Sequence, residues 1–135
     1  MFYDKLRARL ETGPFKNWGI YSGSNNPVMK WLEGSVPIGP EPDAIELYWE
    51  FNWNAFCLKA AIKEVTAEAW AQIRPTLIEL CASCPVAGRK TAAKRGTWVT
   101  AYKWEFDFCK ESPAAIAQKT IEILAHVHKH LPSVV

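Results

Sequence analysis

No uninterrupted apolar run in this chain approaches the roughly 18 residues that a membrane span requires. Its first residues, MFYDKLRARLETG, mix charges with apolar side chains where a secretory signal would be continuously apolar. A cytoplasmic protein without membrane attachment is the expectation. A strong excess of one charge is also missing. Lys and Arg number 16 against 14 Asp and Glu, and the net charge of +2 sets up no global field toward nucleic acid or an anionic bilayer. Any basic surface has to be local. Cysteine is sparse, at four, and 135 residues can bury a core without staples, so free thiols are expected rather than a disulfide framework.

The motifs of common catalytic machinery are absent as well. There is no GxSxG and no HExxH, and Gly88-Arg89-Lys90-Thr91 lacks the first glycine and the spacing of a phosphate-binding loop. Cys81-Ala82-Ser83-Cys84 has the spacing of half a zinc site or a redox pair, but it closes an apolar helical pattern and no second CxxC accompanies it. His126 and His130, one helical turn apart, share a polar face with Lys119 and Lys129, an ordinary solvated arrangement. Paired carboxylates occur at Glu46 with Glu50 and at Glu105 with Asp107. On neighbouring strands these would hold a divalent cation or a basic partner, whereas Lys59, Lys63 and Lys103 as cross-strand partners would simply neutralise them. The expectation is a non-enzymatic chain with no cofactor and no metal.

What the chain does have is aromatic surface, including seven tryptophans, within an ordinary globular composition of 49% hydrophobic and 22% charged residues. From Thr97 to Cys109 a period of two puts Trp98, Thr100, Tyr102, Trp104, Phe106 and Phe108 on one side of a predicted strand, with the polar residues opposite. Residues 44 to 53 repeat the pattern, Ile45, Leu47, Trp49, Phe51 and Trp53 facing inward. The following residues 55 to 63 fit either a returning strand after a tight Trp53-Asn54 turn or the start of a helix.

Phe2, Tyr3, Leu6 and Leu10 mark a short amphipathic helix that Gly13 and Pro14 end. Residues 15–21 and 28–33 read as a hairpin across SGSNNP, and the proline-rich residues 34–43 as an extended surface loop. Thr66 opens a second helix with Trp70, Ile73, Leu77 and Leu80 on one face, in which Pro75 predicts a kink or a break. Residues 85–96 have no apolar period and are expected to be an exposed, mobile loop. Ser112-Pro113 starts a last helix that Pro132 stops. The predicted fold is a single α+β domain over residues 1–135, a mainly antiparallel sheet of four to five strands with amphipathic helices packed on one face.

The order of these elements resembles the DUF4268-type C-terminal accessory domain of PD-(D/E)XK superfamily proteins. The parallels are FYDKLRARL as opening helix, Ile45-Glu46-Leu47-Tyr48 as central strand, and a final aromatic strand whose helix ends in His130-Leu131-Pro132. The nuclease signature itself is missing, since no Glu-x-Lys or Asp-x-Lys follows Pro42-Asp43. The resemblance implies a role near nucleic acid or in host defence, with no cleavage activity.

Two binding surfaces follow. Seven tryptophans exceed what one small core readily buries, which makes Trp18, Trp31 and Trp53, near loops and turns, candidate anchors for a protein partner. Arg89, Lys90, Lys94 and Arg95, within seven residues, form the alternative, a basic loop for contacts to a nucleic-acid backbone. The leading expectation is a binding or inhibitory module acting through protein contacts in host defence or counter-defence. Neither the partner nor the oligomeric state can be read from the residues.

Overall fold

The computed structural model describes residues 2–21, 28–34, 36–38, 45–89, 92–107 and 109–130. Along them run α1 (Phe2–Glu11), β1 (Trp18–Tyr21), β2 (Val28–Trp31), β3 (Val36–Ile38), β4 (Ile45–Asn52), β5 (Ala55–Ala61), α2 (Ala67–Ala82), β6 (Trp98–Glu105) and α3 (Pro113–His130). The strands make one antiparallel sheet in the order β1-β2-β4-β5-β6, and β3 pairs with β4 on the edge that β2 also uses. This is the α+β arrangement the residue pattern predicts.

Period-two patterning decides which side of the sheet is covered. Leu47, Trp49 and Phe51 of β4 stand opposite Ala60, Leu58 and Phe56 of β5, and all six are buried. Rings pack along this side, Trp49 stacked on Phe56 at 4.9 Å and Phe51 tilted against Phe56 at 4.5 Å between centroids. Each aromatic side chain buries roughly 150–250 Å² here, the largest source of stability in a domain this size. All three helices contribute to the same core: Leu6 and Leu10 from α1, Trp70 and Leu77 from α2, and Ile116, Ile123, Leu124 and Val127 from α3. The caps form as the sequence predicts. Thr66 accepts from the Ala69 amide at 3.2 Å, and Ser112 accepts from the Ala115 amide at 3.1 Å.

Four segments stand differently from the reading above or are decided between its alternatives. Pro75 does not break its helix, and α2 runs on through it; its missing donor would have met the Ala71 carbonyl, and both residues are exposed, so water can take the bond. Residues 55–61 are strand, because the two-residue turn Trp53-Asn54 reverses the chain at once. The proline-rich stretch contributes β3, where Pro37, lacking an N–H, sits in a three-residue strand; Ser35 and residues 39–44 lie outside the described residues. Of residues 85–96, expected as an exposed, mobile loop, the described ones are mostly exposed but are anchored at Arg89, Ala92 and Ala93. Arg89 exchanges backbone hydrogen bonds with Lys103, Ala92 is buried, and the Trp70 indole and Arg74 guanidinium donate to the carbonyls of Ala93 and Ala92 at 2.9 and 2.6 Å.

The most consequential change is in β6. Trp104 and Tyr102 pair with Phe56 and Leu58 on the core side, but the register then slips, so that Lys59 stands opposite Thr100, Ala60 opposite Val99 and Ala61 opposite Trp98. Ala101 is the extra residue of a β-bulge. Beyond it the parity inverts: Val99 is buried and Trp98 emerges on the opposite side, 65% exposed. The aromatic wall predicted to run through Trp98 is therefore broken after Tyr102. Phe106 is buried just past the strand, and Phe108 lies outside the described residues.

Candidate functional site on the uncovered sheet face

The side of the sheet away from the helices is built from the polar positions of the same alternation. One row crosses it in register, Lys30 of β2, Glu50 of β4, Cys57 of β5, Lys103 of β6 and finally Arg89 on the sheet edge. The next row along holds Tyr48, Lys59 and Thr100, and the one after it Glu46, Ala61 and Trp98.

Charge on this face is fixed by short-range partners. The Glu50 side chain, 7% exposed, meets the Lys59 ammonium at 3.5 Å and accepts from Asn52 at 3.4 Å. Lys30 lies over two phenol rings, 5.9 Å from the centroid of Tyr21 and 5.6 Å from that of Tyr48. Burial, with Glu50 next, pushes the Tyr48 hydroxyl up to about 12, so it stays protonated at neutral pH. Burial also pushes the Cys57 thiol up, while Lys59 and Lys103 oppose that rise only in part. Cys57 is a thiol at neutral pH, a poor nucleophile.

Two hollows interrupt the face. The first, of about 350 Å³, is lined by Trp98, Tyr48, Leu32, Lys30, Glu46 and Ala61, with Trp31 and Trp49 at its margin. Leu32 reaches it because the chain detours between β2 and β3: Lys30 stands opposite Glu50 and Val36 opposite Leu47, so the chain from Lys30 to Val36 is longer than the stretch of β4 from Leu47 to Glu50 that it passes. That detour requires Gly34, since a Cβ there would stand 2.1 Å from the Trp31 ring. The second hollow, of about 330 Å³, lies toward the β4–β5 turn and is lined by Asn52, Trp53, Asn54, Lys59, Thr100 and Lys103 over a floor of Ala55 and Cys57. Trp53 borders it with a left-handed backbone, φ 56°, and is 51% exposed.

The predicted tryptophan anchors separate. Trp18 is buried against Phe51, Phe56 and Trp31, and its indole donates to the Phe15 carbonyl at 2.9 Å; it presents nothing to solvent. Trp31 is half-buried between Phe15 and His128, its indole donating to the Lys16 carbonyl at 2.8 Å. Only Trp53 of the three is exposed. Sequence reading passed over Trp98, Tyr21 and Leu32, and for Trp98 a bulge leaves no mark in a period-two pattern.

The basic residues separate too. Arg89 and Lys103 both approach Glu105, at 3.7 and 3.8 Å, so part of the expected phosphate-binding charge is already partnered. Lys94 and Arg95 are exposed, just before Trp98; Lys90 lies outside the described residues.

The other candidates do not assemble. The two carboxylate pairs are not on neighbouring strands, because β5 separates β4 from β6, and Asp107 lies beyond the end of β6. Cys81 and Cys84 are free thiols at the C-terminal end of α2, and burial, then the neighbouring Cys84, pushes Cys81 up to about 12. Ser83 donates its one hydroxyl hydrogen to the Leu80 carbonyl at 2.7 Å and so can only accept from His126 Nε2, 2.8 Å away, which leaves no activated hydroxyl. Among the described residues no three of His, Cys, Asp and Glu come together as a metal would require, and no helix is long and apolar enough to cross a membrane. The chain matches no protein-family model, no curated protein and no solved structure.

Proposed function

We propose that this chain is a non-enzymatic binding module that engages a protein partner through the uncovered face of its sheet, with Trp98 as the central anchor. The observation that carries the reading is the bulge at Ala101, which moves a tryptophan from a core position to 65% exposure beside a hollow shared with Tyr48 and Leu32. A large aromatic ring rimmed by charges is the composition of an interaction hot spot rather than of a solvated surface. An inhibitory role in host defence or counter-defence remains a proposal that rests on the resemblance in element order.

A second reading has one observation in its favour. Lys94 and Arg95 are exposed only a few residues before Trp98, and cations beside a free aromatic face are what a single-stranded nucleic acid uses. Affinity capture from the native host, with and without nuclease, decides between the two when run beside Trp98→Ala and a variant with Arg89, Lys90, Lys94 and Arg95 all changed to Ala. A protein retained after nuclease treatment and lost with Trp98→Ala supports the first reading. Salt-sensitive binding to oligonucleotides, measured by fluorescence anisotropy and lost in the fourfold variant, replaces it with the second.

A further inference from the structure

We infer that the second hollow, between Lys59 and Lys103, is a carboxylate pocket, and that the partner is an extended peptide segment carrying an acidic residue four positions from an aromatic or aliphatic one. The inference rests on the protein-binding reading and specifies its ligand.

The warrant is charge and spacing. Among the described residues Lys59, Lys103 and the adjoining Arg89 contact two carboxylates, Lys59 meeting Glu50 and the other two sharing Glu105. Three cations thus meet two carboxylates among the described residues, around a hollow of about 330 Å³ that Asn52, Asn54 and Thr100 also line and Trp53 borders. An ammonium with donors beside it binds a carboxylate by charge-assisted hydrogen bonds, about twice as strong as neutral ones. The first hollow is different: one cation, Lys30, and one carboxylate, Glu46, line it, and Trp98, Tyr48 and Leu32 supply an apolar seat. A polyanion lying along the face would have to pass Glu46, Glu50 and Glu105 in turn, whereas a single carboxylate meets only the two that Lys59 and Lys103 already hold.

The two hollows share strand β5, with Ala61 in the first and Cys57 in the second. Four residues of strand span about 13 Å, and an extended peptide directs every second side chain to one side. Side chains four apart in such a peptide therefore fall into the two hollows together.

Selection of a phage-displayed random heptapeptide library against the wild-type chain tests this. The expected result is enrichment of Asp or Glu four positions from an aromatic or large aliphatic residue. A selected peptide should also bind about tenfold more tightly than its Asp→Asn or Glu→Gln counterpart, the size of one charge-assisted bond. Lys103→Gln should reduce that ratio to about twofold. It is preferred to Lys59→Gln, which would strip the buried Glu50 of its cation, and its unchanged melting temperature confirms the fold. Trp98→Ala should remove the apolar preference and keep the acidic one. Enrichment of apolar residues with no acidic preference overturns the carboxylate pocket and leaves the protein-binding reading standing. No enriched peptide, together with binding to oligonucleotides, overturns both.

Discussion

The Tyr3 hydroxyl donates a 2.8 Å hydrogen bond to the carbonyl of Trp53, so α1 holds the β4–β5 turn from the covered side of the sheet. The turn needs holding, because Trp53 has a φ of 56°, where a Cβ crowds the following carbonyl at a cost of about 1–2 kcal/mol. Trp53→Ala and Trp53→Gly lose the same indole, but only the alanine keeps the strain. The glycine variant should be the more stable of the two by about 1 kcal/mol, the reverse of the order in ordinary strand positions. Urea denaturation of both variants measures the difference, and an alanine variant equal or superior to glycine would contradict the turn geometry.

The bulge in β6 separates two tryptophans of one strand. Trp104 is buried beside Phe106, at 5.2 Å between ring centroids, and Trp104→Ala should cost about 3–5 kcal/mol. Trp98→Ala should cost less than about 1 kcal/mol, since most of that side chain is already in water. Equal costs would place both rings on the same side of the sheet.

Acid should weaken the fold in two stages. Burial holds the His128 imidazole below its ordinary value near 6.5, between the rings of Phe15 and Trp31, and its Nε2 is buried with no hydrogen-bond partner among the described residues. Burial, then His130 and Lys129, lowers His126 as well. The unfolded chain therefore takes up protons first as pH falls through about 6.5, and stability declines from there down to the lowered folded values. Glu111 acts in a separate window. Its hydrogen bond from Lys119, 2.6 Å long, lowers its carboxyl, so its contribution is present above the ordinary carboxylate range and lost as pH falls through the lowered value. Urea midpoints at pH 7.5 and 5.5 should differ in the wild type and differ less in His128→Leu.

The basic loop should be replaceable where it is charged and sensitive where it is anchored. The fourfold alanine variant at Arg89, Lys90, Lys94 and Arg95 should change stability by less than about 1 kcal/mol, because the Arg89–Glu105 pair is exposed. Arg74→Leu should cost about 1–3 kcal/mol, since it leaves the carbonyl of buried Ala92 without its 2.6 Å donor. Thermal unfolding of the two variants compares them directly.

What could be read from the residues follows from what each signal encodes. Helical spacing at Leu6 and Leu10, and the capping hydroxyls Thr66 and Ser112, report local geometry, and the helices stand where those residues predict. Period two placed Trp49 and Phe51 in the core for the same reason. It failed at Trp98, because one inserted residue reverses the side of everything beyond it and Ala101 is chemically unremarkable as an insertion. Proximity to a turn failed as a guide for Trp18, whose strand pairs with β2 and buries the ring under the helices. The two hollows depend on which strands are neighbours, and nothing local to Lys59 or Lys103 records that β5 and β6 pair after a helix has intervened.

The packing of α1 against α3 joins segments made far apart in time. At roughly 5–20 residues per second, the ribosome delivers Leu6 and Leu10 on the order of 5–20 s before Ile123 and Leu124. Until α3 is complete the sheet lacks its full cover, and rings that end up dry, Trp49 and Phe51 among them, face solvent or whatever holds the nascent chain. Yield in the cell is therefore set by how the unfinished chain is shielded, and a truncation within α3 should be read out as insolubility before it is read out as a lower melting temperature.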